Sequence, residues 1–106
     1  MKFTLPFETN QEWTDDPTTV EVTPSPGFRK RVRDARRFMK ASGASMVEFF
    51  AVASYELRDD DGTPFEPEYR LGGCSMRVWG FDGSVQFRFE FKDSSECGWA
   101  DLPNDA

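Results

Sequence analysis

CSMRVWGFDGSVQFRFEF, residues 74–91, is two alternating runs joined at Asp82-Gly83. Cys74, Met76 and Val78 recur with a period of two on one side of that dipeptide, and Phe87, Phe89 and Phe91 on the other. This is the pattern of half-buried strands. Asp-Gly is a strong signal for a two-residue type I′ turn. Such a turn sets Phe81 opposite Ser84, Val78 opposite Phe87, Met76 opposite Phe89 and Cys74 opposite Phe91, so turn chemistry and apolar pattern agree on one register. On the other face it sets Arg77 directly opposite Arg88, Trp79 opposite Gln86 and Ser75 opposite Glu90. Like charges facing each other across strands destabilise a sheet pair, so the two arginines are expected to need a negative partner.

Upstream, the strand is expected to begin near Glu66. Tyr69 and Leu71 are apolar at odd positions, and Cys74, Met76 and Val78 at even ones. A one-residue bulge at Gly72-Gly73 restores a common face; two short strands with a glycine kink explain the pattern equally well. Val47, Phe49, Ala51, Ala53, Tyr55 and Leu57 predict one strand over residues 46–57. Asp59-Asp60-Asp61-Gly62 then turns the chain. It lacks the alternating ligands and distal glutamate of an EF-hand, so it reads as an acidic turn.

Residues 26–42 are expected to form the helix. Ser25 supplies an N-cap hydroxyl and Pro26 the first helical position. Phe28, Val32, Ala35 and Met39 make the apolar stripe, Phe38 widens it, and Gly43 stops it. Residues 1–25 read as an arm or hairpin, with Phe3, Leu5 and Phe7 alternating in one run and Val20 and Val22 in the other. Residues 46–92 read as an antiparallel meander and 93–106 as an irregular acidic tail pinned by Trp99. The expectation is one α+β domain over 1–106, order β-β-α-β-β-β, with a single amphipathic basic helix packed on an antiparallel sheet.

Composition narrows the chemistry. A chain of 106 residues buries roughly two-thirds of its unfolded surface, enough for one core. It has no histidine, which removes the usual general base near neutral pH and excludes Ser-His-Asp and Cys-His mechanisms. Glu48 and Glu90 are the one candidate carboxylate pair, and beside arginines they read as ion-pair partners. No enzyme, metal or cofactor is expected. Two cysteines, Cys74 and Cys97, are too few for a disulfide framework or a zinc site; free thiols are expected, with a Cys74–Cys97 bridge as the alternative. No apolar run reaches the ~20 residues of a membrane span, and residues 1–6 lack the apolar core of a secretory signal, so a cytoplasmic protein is expected.

Charge carries the functional reading. Residues 28–40 hold seven bases (Arg29, Lys30, Arg31, Arg33, Arg36, Arg37, Lys40) and one acid, Asp34, in a chain of net charge −6. The bases in the first turn oppose the helix dipole, so helix stability does not explain the whole run. It can cover acids of its own domain, meet an acidic protein or a nucleic-acid backbone, or lie on an anionic membrane, for which it lacks a broad apolar face. On the sheet, Arg77, Trp79, Arg88 and Glu90, extended by Phe50, have the composition of a protein-binding face. In the competing reading Glu48 and Glu90 neutralise the arginines and the N-terminal hairpin covers Trp79 and Phe50. Asp59, Asp60, Asp61, Glu66 and Glu68 are candidates for phosphate mimicry or steering. The expected function is a non-catalytic protein-binding module, an inhibitor or adaptor, monomeric or homodimeric. Phage-type inhibitors of host defence proteins have this size and charge, and a nucleic-acid-binding host complex is a fitting partner. The alternative is nucleic-acid binding through helix 28–40, against which stands a pI near 4.6.

Overall fold

The computed structural model describes residues 2–10, 18–64, 71–80, 82–91 and 97–103. Their elements are β1 (Phe3–Pro6), β2 (Glu8–Thr9), β3 (Thr19–Pro24), α1 (Phe28–Ser42), β4 (Met46–Phe49), β5 (Val52–Arg58), β6 (Leu71–Trp79), β7 (Val85–Phe91) and β8 (Cys97–Leu102). The strands make two antiparallel sheets, ordered β1-β3-β5 and β2-β8-β7-β6-β4. The fold is thus α+β and dominated by sheet.

Two runs of chain turn corners between the sheets. Around Phe7 the chain passes from β1 in one sheet to β2 in the other, and around Phe50-Ala51 from β4 to β5. The single strand expected over residues 46–57 is therefore two. Its apolar parity fails at the corner, where Ala53 is exposed and Val52 packs against the core. Val47 and Phe49 sit beside Val78 and Met76, whereas Tyr55 and Leu57 sit beside Val22 and Val20. A flat ribbon cannot enclose a core; bent strands that switch sheets make the corners of a two-sheet packing.

The core lies between the inner face of the five-stranded sheet (Met76, Val78, Phe87, Phe89) and a second layer. That layer is part sheet (Leu5, Val20, Val22, Leu57) and part helix (Phe28, Val32, Ala35, Met39). Phe89 meets Phe7 and Tyr55 edge to face. Helix α1 covers the end where β6 stops and β7 begins: Arg36 donates to the Gly83 carbonyl, and Gly80 packs closely enough on Ala44 and Met39 that a Cβ there would lie 2.8 Å from the Ala44 carbonyl oxygen.

The helix stripe is as expected except at Phe38, which is 59% exposed. Its start differs. Gly27, with φ 82°, is the N-cap and no side chain caps it. The Ser25 carbonyl, not its hydroxyl, accepts the Phe28 N–H, and the Ser25 N–H donates to the Ala51 carbonyl. The corner at Ala51 thus holds Ser25 beside the sheet, and glycine makes the turn into the helix in a conformation other residues resist. Gly43 closes the helix in the left-handed region, its N–H on the Met39 carbonyl.

The 74–91 hairpin forms in a different register. Val78 faces Val85, Met76 faces Phe87 and Cys74 faces Phe89, two residues away from the type I′ expectation. The loop closes at Trp79 and Ser84: Trp79 N–H donates to the Ser84 carbonyl, Gly83 N–H to the Trp79 carbonyl, and Gly80 N–H to the Ser45 carbonyl. Asp82 Oδ1 accepts the Ser84 N–H at 2.9 Å, a local Asx-type bond that competes with the tight turn. A slip of two keeps every side chain on its expected face and changes only the neighbours. A bulge forms at Gly72-Gly73: Leu71 faces Phe91 and Gly73 faces Glu90, leaving Gly72 as the extra residue. Tyr69 and Phe81 lie outside the described residues.

The expected irregular tail contains a strand. β8 lies between β7 and β2. Its inward positions are Gly98, Ala100 and Leu102, and Gly98 lies against the Phe7 ring. Two of the three are small, and so the strand lacks a hydrophobic signature.

Candidate functional site

The outer face of the five-stranded sheet holds the first group of expected site residues. Register places Trp99, Arg88 and Ser75 in one row and Asp101, Gln86, Arg77 and Glu48 in the next, with Trp79 facing Met46. Arg77 and Arg88 are not opposite each other. The two-residue shift gives Arg77 to Gln86 and Arg88 to Ser75, and each guanidinium finds a carboxylate: Arg77 bridges Glu48 across strands, and Arg88 bridges Glu90 along its own. The Glu90 hydrogen bond raises the Arg88 pKa further. Trp99 Nε1–H donates to Glu8 Oε2 at 2.7 Å, and Gln86 Nε2–H to Asp101 Oδ1 at 2.9 Å. Among the described residues the N-terminal hairpin does not cover this face: β1 and β3 belong to the opposite layer, and β2 is an edge strand of this sheet. The arginines of this face are already satisfied. Phe50 stands at the β4–β5 corner, 75% exposed, its carbonyl held by the Arg31 guanidinium.

The acidic turn is largely self-engaged. Asp59 Oδ1 and Asp61 Oδ1 both accept the Thr63 N–H, at 3.1 and 2.9 Å, and Arg58 Nη1 donates to the Gly62 carbonyl. The hydrogen bond to Asp59 lowers the Asp61 carboxyl to about 2, and the same bond raises Asp59. As pH falls, Asp59 takes the first proton. Two of the five acids expected to steer a partner, Asp59 and Asp61, thus build the turn. Glu66 and Glu68 lie outside the described residues.

Helix α1 differs from both. Its Lys30 pairs internally with Asp34, at 3.2 Å. Arg31 and Arg36 are held by backbone carbonyls of Phe50 and Gly83, and Arg31 also lies over the Phe49 ring. Among the described residues Arg33, Arg37 and Lys40 have no carboxylate partner, and all three are exposed. The helix therefore does not neutralise itself on the described acids of its own fold.

A cleft of about 390 Å³ runs between α1 and the β7–β8 pair, within the ~300–1,000 Å³ of ligand sites. Phe28 and Val32 from the helix and the cross-strand pair Val85–Leu102 form its apolar lining, with Pro103 at one end. Arg29, Arg33 and Arg36, at helical spacings of four and three, also line it. The sequence reveals the arginines but not the cleft, because Leu102 lies in the expected tail. Its alternation with Gly98 and Ala100 is the available signal.

The thiols are free. Cys74 shares the inner face of β6 with Met76 and Val78, while Cys97 shares the outer face of β8 with Trp99 and Asp101. A disulfide cannot span two faces of one sheet. Burial raises the Cys74 thiol to about 12, and thiolates are the reactive species. A small alkylating reagent at mildly alkaline pH should modify Cys97 and spare Cys74 until denaturant is added. Equal rates at both, measured by peptide mass spectrometry, would contradict the burial of Cys74.

No helix among the described residues is long and apolar enough to cross a membrane. No family model, curated protein or solved structure matches the chain.

Proposed function

We propose that the chain is a non-catalytic binding module, an inhibitor or adaptor, that docks an acidic protein partner through the base-rich face of α1. The observation that carries this reading is the outward row Arg33, Arg37 and Lys40, which has no carboxylate partner among the described residues in a chain of net charge −6. Fields of this kind steer encounter and fix orientation. The paired arginines of the sheet face, Arg77 and Arg88, become secondary, since a partner must first displace Glu48 and Glu90. Trp79 and Phe50 supply apolar contacts at the edges of that face. A cytoplasmic setting and a phage-type inhibitory role against a host complex are compatible with this chemistry.

The test is charge reversal. Arg33→Glu, Arg37→Glu and Lys40→Glu together should abolish capture of the partner that the unmodified protein retains. Stability should change by no more than about 0.5 kcal/mol per site, as for exposed positions. Undiminished capture by the triple variant would end the reading. The same unpaired row supports nucleic-acid binding as the second reading. It requires a steep, linear fall of log affinity with log salt, and a low-salt titration with no retarded nucleic acid removes it.

A further inference from the structure

We infer that the cleft between α1 and the β7–β8 pair receives an apolar side chain from an acidic peptide segment of the partner. This rests on the proposed docking of α1 and adds which chemistry it selects. The lining dictates the occupant. Half-buried Leu102 and the outer edges of the buried Phe28, Val32 and Val85 offer an apolar surface that contributes only if an apolar group replaces water there. Arg29, Arg33 and Arg36 run along the helix side of the same cleft, so a cationic or extended neutral occupant meets a positive wall it cannot satisfy. An apolar residue flanked by Asp or Glu satisfies both at once: the side chain enters, and the flanking carboxylates reach the guanidinium groups, which favour bidentate pairing.

Two features preorganise the cleft. The Arg36 guanidinium is fixed by the Gly83 carbonyl, which sets the position of that wall. Val85 and Leu102 are direct cross-strand neighbours, the end pair of the β7–β8 ladder, so the opposite wall is built on sheet backbone. Phosphate backbones fit less well, because they bring charge with no apolar group for the Val85–Leu102 wall.

The experiment uses two fluorescein-labelled short peptides of alternating Asp and Glu, one with a central leucine and one with serine in its place, and a short duplex DNA. Anisotropy should show the leucine peptide binding roughly tenfold tighter than the serine peptide, the worth of partly burying one leucine. Leu102→Ser should remove that advantage, and Arg33→Glu should weaken both. Methyl resonances of Val32 and Val85 in the unmodified protein should shift with the leucine peptide alone, a second readout if Leu102→Ser fails to fold. Equal binding of the two peptides overturns the cleft inference and leaves the docking reading of α1 standing. Binding of neither peptide overturns both, as does duplex DNA that binds and displaces the leucine peptide.

Discussion

Phe89→Ala should remove about 3–5 kcal/mol of stability, a large share of the ~5–15 kcal/mol a domain of this size has. Phe89 is fully buried in β7, between Cys74 of β6 and Gly98 of β8. Its ring meets Phe7 at 5.5 Å between centroids and Tyr55 at 5.3 Å, both edge to face. Phe7 stands at the β1–β2 corner and Tyr55 in β5 beyond the other corner, so one ring ties the five-stranded sheet to both connections with the second layer. Truncation leaves a cavity that neither corner can fill without moving its strand, and breaking each ring–ring pair adds about 0.5–1.5 kcal/mol to the area term. Urea unfolding followed by tryptophan fluorescence should show a lower midpoint with an unchanged slope. A destabilisation below about 1 kcal/mol would mean that the layers are held together elsewhere.

Gly98→Ala, a single added methyl, should cost about 1–3 kcal/mol by overpacking. A Cβ at Gly98 would lie 2.7 Å from Phe7 Cε2 and 3.1 Å from the Glu8 carbonyl oxygen. The ring cannot retreat freely, because it is buried and also meets Phe89. Nor can the carbonyl, since Glu8 pairs with Trp99 in the β2–β8 ladder. The cause is tested by a cycle with Phe7→Leu. Leucine gives back space at this point, so the double variant should be more stable than the sum of the single effects predicts, by more than the ~0.5 kcal/mol expected of independent sites. Strict additivity would locate the cost of Gly98→Ala in the backbone instead of in the ring.

The candidate site is legible in part, and residue by residue the reason is the same. The base run over residues 29–40 is visible in the sequence because charge and helical period are local. Neutralisation of Arg77 and Arg88 by Glu48 and Glu90 is one of the two readings the sequence offers, and the ion pairs bear it out. That the two arginines do not face each other is not legible, because a cross-strand neighbour depends on register to the single residue. Asp82-Gly83 reads locally as the turn itself, yet the Gly80 N–H is taken by Ser45 and the Ser84 N–H by Asp82, and the loop lengthens. Arg77 and Arg88 then no longer face each other. Each already bonds a carboxylate, Glu48 across the β4–β6 pair and Glu90 along β7, and the motive for the sheet face as the main contact weakens. The cleft is hidden for a second reason. Part of its apolar lining comes from Leu102, whose strand packs through glycine and alanine near a ring contributed from the other end of the chain.

Periodicity alone therefore determined the helix stripe of Phe28, Val32, Ala35 and Met39, the inward face of Met76, Val78, Phe87 and Phe89, and the bulge at Gly72-Gly73 as one of two readings. Each is set by burial of one side of a local element, which a short window of sequence records. Which strands pair, where the run expected over residues 46–57 breaks at Phe50-Ala51, and which residues face Arg77 and Arg88 across the sheet were decided only by the closed core. Enclosing that core forces strands to bend and change sheets, and the energy that selects those bends lies in contacts between residues as distant as Phe7, Phe89 and Gly98.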